Sequence, residues 1–301
     1  MQIKKALSFA AIAIMLASCS TNEDFLQQEN LEGTPMTFNV GVNDMVTRAG
    51  YNNSETPSYF YINIDQEGTN YDYNNVLMRK QSDGSYAPVD VSLVWGPSKN
   101  NLNIQAYFLG NHNLSENFID ASFSSKLKND DYLGASSAVS GDISISGSSV
   151  NIRFRHLLCK MDVTFEWGEE FKDISNKTYS AMVKGVGMSG FIDFNTGTIT
   201  VGSESNGISP YGEAMSEYTT TNTKEFIFFP GHENPRIEIN AIINNNEYRN
   251  FEVALPVPAG GFKQGNLYKM NVCIGGNSAK VNNLSVSAWN DIDNNGDFVI
   301  E

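Results

Sequence analysis

The chain has 301 residues, with 34 acidic and 20 basic side chains and a formal net charge of −14 at pH 7. This length allows one large domain or two of ordinary size, and we favour two. The negative charge and the lack of any Lys and Arg cluster argue against nucleic acid as a partner, because binding it requires clustered basic side chains that displace counterions. An anionic membrane surface is disfavoured for the same reason.

The N-terminal residues have the three parts of a secretory signal peptide. Lys4 and Lys5 are followed by an apolar run over residues 6–16 and then by the small residues Ala17 and Ser18. The run is shorter than the roughly 20 apolar residues that a membrane span requires, which favours cleavage over retention. We therefore predict a signal peptide that ends at residue 18, and export of the chain.

Residues 16–19, Leu-Ala-Ser-Cys, are similar position by position to the lipobox at which bacterial lipoproteins are cut and acylated. Acyl chains such as palmitate on Cys19 would hold the protein at a membrane, because each buried methylene contributes roughly 0.8 kcal/mol and two or more chains anchor stably. An ordinary secretory peptide that contains a cysteine is the alternative. We expect residues 19–48 to form a lipidated tether followed by a first strand.

From Met36 the sequence consists of short segments typical of β-strands. Residues 36–42 alternate apolar with polar or small side chains, which places four apolar side chains on one face. The same pattern predicts strands at residues 59–65, 76–80, 102–109, 150–155, 157–167, 179–188, 191–194, 198–201, 225–229, 237–243, 248–255, 267–274 and 281–289. Helix is confined to weak candidates at residues 118–127 and 169–175.

Many short strands with turn residues between them predict an all-β chain of sandwich architecture rather than a parallel sheet. Hairpin turns are predicted at residues 83–84, 195–197 and 244–246. The Ser- and Gly-rich stretch over residues 136–149 is the predicted seam between two sandwiches in tandem. The N-terminal sandwich would then span residues 49–149 and the C-terminal sandwich residues 150–301.

No motif in the sequence predicts an enzyme. Gly185, Gly187 and Gly190 spell the dinucleotide fingerprint, but a strand rather than a helix is predicted after them, so we reject a nucleotide site. The G-x-S-x-G string of α/β-hydrolases does not occur. Nothing singles out two of the many acids for glycoside hydrolysis, which depends on their separation in space. We predict no catalytic residues and no cofactor.

We also assign no metal site. Cys159 and Cys273 lie in apolar stretches and are expected as buried free thiols, with one disulfide as the alternative. The three histidines show no zinc-ligand spacing. Residues 291–297 copy the first half of an EF-hand calcium loop, but the glutamate at loop position twelve would be residue 302. A weak calcium site and a plain Asp-Asn-Gly turn are the two readings of this segment.

Seven motifs stand out in chain order. They are the lipobox at Cys19, Val46-Thr47-Arg48-Ala49-Gly50, Trp95 ahead of Ala106-Tyr107-Phe108, Phe-Arg-His-Leu-Leu-Cys-Lys-Met over residues 154–161, Phe228-Phe229-Pro230, Gly265-Asn266-Leu267-Tyr268-Lys269, and Leu-Ser-Val-Ser-Ala-Trp over residues 284–289. Together they resemble the fimbrillin family of Bacteroidetes, which are subunits of type V pili. Each motif is weakly specific alone. Their order and spacing over nearly the whole chain carry the resemblance.

The resemblance implies two transthyretin-like β-sandwiches and proteolytic removal of the first strand after an arginine, which Arg48 followed by Ala49 fits. Removal would leave a groove that a strand from a neighbouring subunit could fill, and repeating this contact head to tail gives a filament. The natural donor is the C-terminal region, residues 281–301. Its apolar side chains available for insertion are Val281, Leu284, Val286, Ala288, Phe298 and Ile300.

The resemblance thus implies a structural pilus subunit that serves adhesion at the surface of the outer membrane. Its expected partners are other pilus subunits, the membrane through the lipid on Cys19, and a ligand on a host or bacterial surface. Stalk is our first choice of subunit class, followed by an accessory or tip adhesin. The main alternative is a monomeric glycan-binding lipoprotein, in which a cluster of tyrosines faces the sugar. These are Tyr51, Tyr59, Tyr61, Tyr71 and Tyr73.

Overall fold

Fifteen strands and one short 3₁₀ helix make up the regular structure of the described chain. The computed structural model describes residues 31–42, 56–97, 102–109, 131–193, 198–204, 207–208, 210, 218–220, 222–244 and 247–288. From Leu31 on these residues belong to one compact unit, and they form two sheets. The all-β prediction is confirmed. In the described residues, no helix is long and apolar enough to span a bilayer.

The first sheet contains eight strands in the order β1-β8-β6-β5-β2-β3-β4, with β7 also paired to β8. Their bounds are β1 Thr37–Val42, β2 Tyr59–Gln66, β3 Tyr73–Lys80, β4 Tyr86–Pro88, β5 Leu102–Phe108, β6 Leu133–Ser136, β7 Ile143–Ser146 and β8 Ser149–His156. The two end strands, β1 and β4, are in contact, so the sheet curls around its own core. Alternate side chains of these strands point into that core, which includes Phe60, Trp95 and Phe154.

The second sheet contains seven strands in the order β11-β10-β12-β9-β14-β15, with β13 also paired to β12. Their bounds are β9 Cys159–Trp167, β10 Lys177–Asp193, β11 Thr198–Glu204, β12 Thr223–Ile243, β13 Glu247–Ala254, β14 Asn266–Ile274 and β15 Ala279–Ala288, and the 3₁₀ helix is Glu169–Phe171. The first part of β12 pairs with β9, and its last part pairs with β10 and β13. One long strand therefore serves both layers of this sandwich, and a second apolar cluster fills the space between them.

The glycines of the dinucleotide-like motif lie where β10 passes close to β12. Gly185 has φ +69°, and a Cβ there would lie 2.3 Å from the carbonyl oxygen of Glu233. A Cβ on Gly187 would lie 2.5 Å from the carbonyl oxygen of Phe229. The pairing register also shifts on both sides of Val186. These glycines therefore allow a bulge where the two strands approach closely. A strand, not a helix, follows them, because β10 continues to Asp193.

A third apolar cluster joins the two sandwiches. It combines Tyr107 and Tyr132, which precede β8, with Leu158, Ile227 and Leu267 from the strands and connections of the second sheet. Tyr132 also makes an edge contact with the ring of Phe229, at 6.0 Å between centroids. The contact between the two sandwiches is therefore packed like a core.

The predicted strands are present, with informative differences. Residues 225–229 and 237–243 belong to the single strand β12, and the helix predicted over residues 169–175 is only one 3₁₀ turn. The helix candidate at 118–127 and the turn at 195–197 lie outside the described residues, whereas Gly84 has the positive φ that its hairpin turn needs. The division into two domains stays a prediction. Because β8 pairs within the first sheet, the strand pairing favours a boundary after His156 rather than near Ser149.

Candidate functional site

The first strand, β1, lies at one end of the first sheet. It runs parallel to β8, with Thr37 opposite Ser149 and Val42 opposite Phe154. Among the described strands, β8 is its one ladder partner, and the sheet order ends at β1. A single row of main-chain hydrogen bonds therefore connects this strand to its sheet.

The segment before β1 is held by the loop that ends at Trp95. Met36 donates its backbone N–H to the carbonyl oxygen of Leu93 at 2.9 Å, and Gly33 donates to that of Trp95 at 2.8 Å. The indole nitrogen of Trp95 in turn donates to the carbonyl oxygen of Ser148 at 3.1 Å. The incoming chain thus sits between the start of β8 and residues 93–95, which together form the two walls of a groove. We call this the β1 groove.

The predicted apolar face of β1 forms the contact with the floor of the groove. Met36, Phe38 and Val42 are 7%, 4% and 5% exposed, and Val40 packs against the same core cluster. Burying a side chain of this size contributes roughly 1.5–3 kcal/mol, so the three buried residues contribute about 5–9 kcal/mol. That is comparable with the whole stability of a typical domain, about 5–15 kcal/mol. An empty groove would therefore be strongly unfavourable.

The sequence-predicted processing residues follow this strand directly in the chain. Arg48 and Ala49 lie outside the described residues, between the end of β1 and the resumption of the described chain at Thr56. Cys19 also lies outside the described residues. Lipidation at Cys19 and cleavage at Arg48 both stay predictions.

The predicted donor residues are divided between β15 and the segment that follows it. Leu284 is 6% exposed, and Val281 and Val286 pack against the core of the second sandwich. The side chain of Ala288, and Phe298 and Ile300 entirely, lie outside the described residues. In the described chain β15 pairs with β14 alone and ends the second sheet, so it is an edge strand like β1.

The inner side of β15 borders a cavity of about 670 Å³. Leu284, Val286 and Tyr268 line one part of it, and residues 256–259 line another. This cavity is open to solvent, so part of the inner side of β15 faces the cleft instead of packing against other side chains. Both features favour β15 over the central strands of the second sandwich as a strand that can leave.

The tyrosines of the alternative glycan platform are mostly engaged in packing. Tyr61 stacks on Tyr107 with 5.8 Å between ring centroids, and Tyr59 makes an edge contact with Phe108 at 5.3 Å. Tyr73 packs against the first core. The hydroxyl of Tyr71 donates to Glu32 at 3.3 Å, and Tyr51 lies outside the described residues. The described tyrosines do not form an open row for sugar rings.

The structure contains three buried ionic clusters that the sequence analysis does not predict. Asp142 is 1% exposed, and its two carboxylate oxygens share the N–H of Arg155 Nε, each at 2.8 Å. Burial nevertheless raises the pKa of the Asp142 carboxyl. His156 contacts Asp131 at 3.0 Å, with both side chains buried.

The third cluster centres on Lys160, whose fully buried ammonium group lies 3.3 Å from Glu225 and 3.5 Å from Asp162. Burial is the main cause that raises the pKa of the Asp162 carboxyl, and the negative charge of Glu225 adds to it. The residues opposite Lys160 on the two neighbouring strands are Ile227 and Leu267, and both belong to the apolar cluster that joins the sandwiches. These charges therefore have a structural explanation, and nothing in their arrangement points to catalysis.

The two cysteines in the described part of the chain, Cys159 and Cys273, are free thiols, as the first of the two alternatives predicts, although Cys273 is only partly buried. Cys159 is buried, its thiol donates to the carbonyl oxygen of Lys263 at 3.1 Å, and burial raises its pKa well above the ordinary value. Within the described residues, no group of three or more His, Cys, Asp or Glu side chains could hold a metal ion.

The model of a family described as fimbrillin-like matches residues 44–289. A comparison with curated protein sequences finds no match.

Solved structures with a similar fold come from several Bacteroides species. A proposed cell adhesion protein from Bacteroides uniformis has a TM-score of 0.61 and 16% identity, covering 85% of this chain and 99% of that one. A proposed cell adhesion protein from Bacteroides ovatus has a TM-score of 0.59 and 17% identity, covering 86% and 99%. A fimbrial protein from Bacteroides vulgatus has a TM-score of 0.52 and 13% identity, covering 84% and 99%. At these identities the likeness concerns the fold.

Proposed function

Because the chain belongs to the fimbrillin-like family, we propose that it is a structural subunit of a cell-surface pilus that assembles by strand exchange and serves adhesion. The proposal includes export, acylation of Cys19 at the outer membrane and removal of the chain up to Arg48. Its partners are then other pilus subunits, with stalk as the preferred subunit class. Solved relatives with the same fold include proteins described as fimbrial or as proposed cell adhesion proteins. A fimbrillin-like protein has a structural or adhesive role, which agrees with the absence of any enzyme motif in the sequence.

The observation that carries the proposal is the position of β1. It is an edge strand, its apolar face fills the core of the first sandwich, and the sequence reaches Arg48 only six residues after its last residue, Val42. Cleavage there would separate β1 covalently from the rest of the fold. Loss of the strand would uncover the backbone of β8 and the apolar floor of the β1 groove, and both changes are costly until another strand takes its place.

The C-terminal region supplies a donor of matching type. β15 is an edge strand with alternating apolar side chains, and the cavity beside Leu284 and Val286 lowers the cost of releasing it. An extended segment inserted beside β8 gains affinity from main-chain hydrogen bonds and specificity from alternate side-chain pockets. Groove and donor lie in different sheets of one chain, so each subunit can accept one strand and give another.

The decisive experiment is N-terminal sequencing of the protein recovered from the surface of its native cells, together with its oligomeric state on a denaturing gel without heating. We expect chains that begin at Ala49 and a ladder of polymers. Arg48→Gln should abolish both. Arg79→Gln is the matched control, because Arg79 is an exposed arginine elsewhere in the first sandwich.

Chains that begin at acylated Cys19 and remain monomeric in the wild type would refute strand exchange. They would favour the permanently anchored glycan-binding lipoprotein instead, which direct binding to immobilised glycans would then test.

A further inference from the structure

The cavity beside β15 has the size and the lining of a small-molecule site. Leu284 and Val286 line one part of it, and the apolar residues 256–259 line another. Its volume of about 670 Å³ lies within the range of about 300–1,000 Å³ that is usual for ligand pockets. We call this cavity the β15 cleft. Its lining is largely aliphatic, so the body of a ligand that fills it must be apolar.

The loop of residues 256–263, which forms part of the cleft, is held in place at both ends. Just before the loop, Leu255 donates its backbone N–H to the carbonyl oxygen of Pro235 at 2.8 Å. At its other end, the carbonyl oxygen of Lys263 accepts the thiol of Cys159 at 3.1 Å. The two prolines of the loop have fixed φ angles, which restricts the chain between these points. The cleft is therefore formed before a ligand arrives, and binding does not have to order the loop.

The polar part of the lining centres on the hydroxyl of Tyr268. This hydroxyl accepts the backbone N–H of Lys263 at 2.6 Å and lies 3.4 Å from the amide nitrogen of Asn266. Burial raises the pKa of Tyr268, so the hydroxyl keeps its own proton and can donate it. The amide nitrogen of Asn266 carries a second N–H. Both side chains can therefore donate a hydrogen bond to a ligand in the cleft.

Lys263 adds a positive charge beside these donors. Its side chain is exposed, and its ammonium group lies against the loop, since a Cβ on Gly260 would be 3.4 Å from Nζ. Among the described residues that line the cleft, Lys263 is the only one with a charged side chain. Two neutral donors and an ammonium group match a carboxylate, which accepts hydrogen bonds through both oxygens. A sugar fits less well, because most of its hydroxyls would lie against aliphatic side chains without partners.

We propose that the β15 cleft binds an amphiphile with an aliphatic chain and a carboxylate head, which is the chemistry of a fatty acid. The chain lies between β15 and the loop of residues 256–263. The carboxylate accepts hydrogen bonds from Tyr268 and Asn266 and lies near the ammonium group of Lys263. This site goes beyond the proposed function, because it requires neither cleavage of the chain nor a second subunit.

A ligand in the cleft also holds β15 in its own sandwich. Leu284 and Val286 line the cleft only while β15 is paired with β14. An amphiphile that contacts both side chains therefore binds this arrangement more tightly than one in which β15 has left. A ligand that prefers one of two states stabilises that state by mass action. Amide hydrogen exchange of residues 279–288 should consequently become slower when the cleft is filled.

The first test is isothermal titration calorimetry of decanoate, octanoate and hexanoate with the uncleaved protein, expressed without residues 1–19 so that no detergent is needed. This form keeps the whole compact unit that begins at Leu31. Each added methylene should tighten binding by up to about fourfold, which corresponds to the roughly 0.8 kcal/mol that a buried CH₂ contributes. Octanoate should thus bind more weakly than decanoate, and hexanoate more weakly still.

The second test separates the head group from the chain. Lys263→Gln should weaken decanoate by about twofold to fivefold, the range of an exposed ion pair. The same variant should bind 1-decanol, which has the same chain without a charge, as the wild type does. Lys80→Gln is the matched control, because Lys80 is an exposed lysine on β3 of the first sandwich.

The third test blocks the cleft. Ala259 is exposed and lines the cleft, so the indole of Ala259→Trp can enter it without displacing a buried side chain. We expect decanoate to bind at least about tenfold more weakly, because the indole takes the place of several methylenes of the chain. Ala138→Trp places the same side chain at an exposed position of the first sandwich and should leave binding unchanged.

Each part of the proposal has its own contrary result. Affinity that is independent of chain length, or that survives Ala259→Trp, would overturn binding in the β15 cleft. An equal loss for decanoate and 1-decanol in Lys263→Gln would overturn the carboxylate assignment. Unchanged hydrogen exchange of residues 279–288 with decanoate bound would overturn the effect on β15. None of these results bears on strand exchange, which the N-terminal sequence of the native protein tests separately.

Discussion

The strongest test of the β1 groove is the substitution Phe38→Ala. Phe38 is 4% exposed and packs in the cluster that contains Trp95 and Phe154. Truncating a buried phenylalanine to alanine costs about 3–5 kcal/mol, from lost transfer free energy and the cavity left behind. Since about 1.4 kcal/mol corresponds to a factor of ten, a cleaved protein should hold its first strand about 100- to 5,000-fold more weakly.

The assay begins with purified protein cleaved after Arg48. The wild type should retain the first strand through gel filtration, because the buried side chains hold it without a covalent link. The Phe38→Ala variant should release it, and mass spectrometry of the eluted protein should show the loss. Gly41→Ala is the control in the same strand, because a Cβ on Gly41 meets no atom within 4 Å and its φ is not positive. Equal retention by Phe38→Ala and wild type would refute the view that the apolar face holds β1.

Three further predictions concern the sandwiches themselves, each measured by thermal or urea unfolding. Asp142→Ala should destabilise the protein by about 1–3 kcal/mol, because it removes the partner of Arg155 and the acceptor for the backbone N–H of Ser136. The exposed Asp90 provides the control, and Asp90→Ala should change little. Gly185→Ala should cost more than the ~1 kcal/mol typical of strained glycine sites, because its Cβ would collide with the backbone of β12.

The third prediction is that Asp162→Asn changes how the melting temperature depends on pH. A raised pKa means that the Asp162 carboxyl stabilises the fold most below its unfolded pKa of about 4 and loses that contribution as pH rises through the folded pKa. The melting temperature of the variant should therefore gain on the wild type as the pH rises from about 4 towards neutrality. A constant difference across that range would contradict this reading.

Sequence reasoning succeeded where local alternation decides the structure. The apolar face of β1 could be predicted because its side chains alternate and no glycine or proline interrupts the buried positions. Strand β6 was missed because Leu-Gly-Ala-Ser has little intrinsic strand preference. All four of its residues are buried between β5 and β8, so tertiary packing rather than propensity makes it a strand. The prediction of two separate strands at residues 225–229 and 237–243 is wrong, because one strand continues through Pro230 and Pro235.

The walls of the β1 groove could not be predicted for a different reason. Thr37 and Ser149 are paired across more than a hundred residues of sequence, and no local pattern specifies that partner. The same holds for Trp95, whose indole reaches Ser148. A single sequence identifies a strand and its two faces, whereas the neighbour of each strand depends on the topology of the whole sheet.

The positions of the two edge strands bear on the kind of assembly that strand exchange could produce. Reciprocal exchange between two copies would form a closed dimer, whereas exchange in one direction leaves each pair with one free groove and one free donor. Here β1 ends the first sheet and β15 ends the second, so the accepting and donating surfaces are different patches of one chain. Contacts between unlike patches form a closed ring only if the rotation between copies allows it, and otherwise they form an open filament. A packed apolar cluster joins the two sandwiches. Under the proposed exchange it would hold the accepting and donating surfaces in one fixed relation within each subunit, and a filament built from such subunits would have a defined geometry.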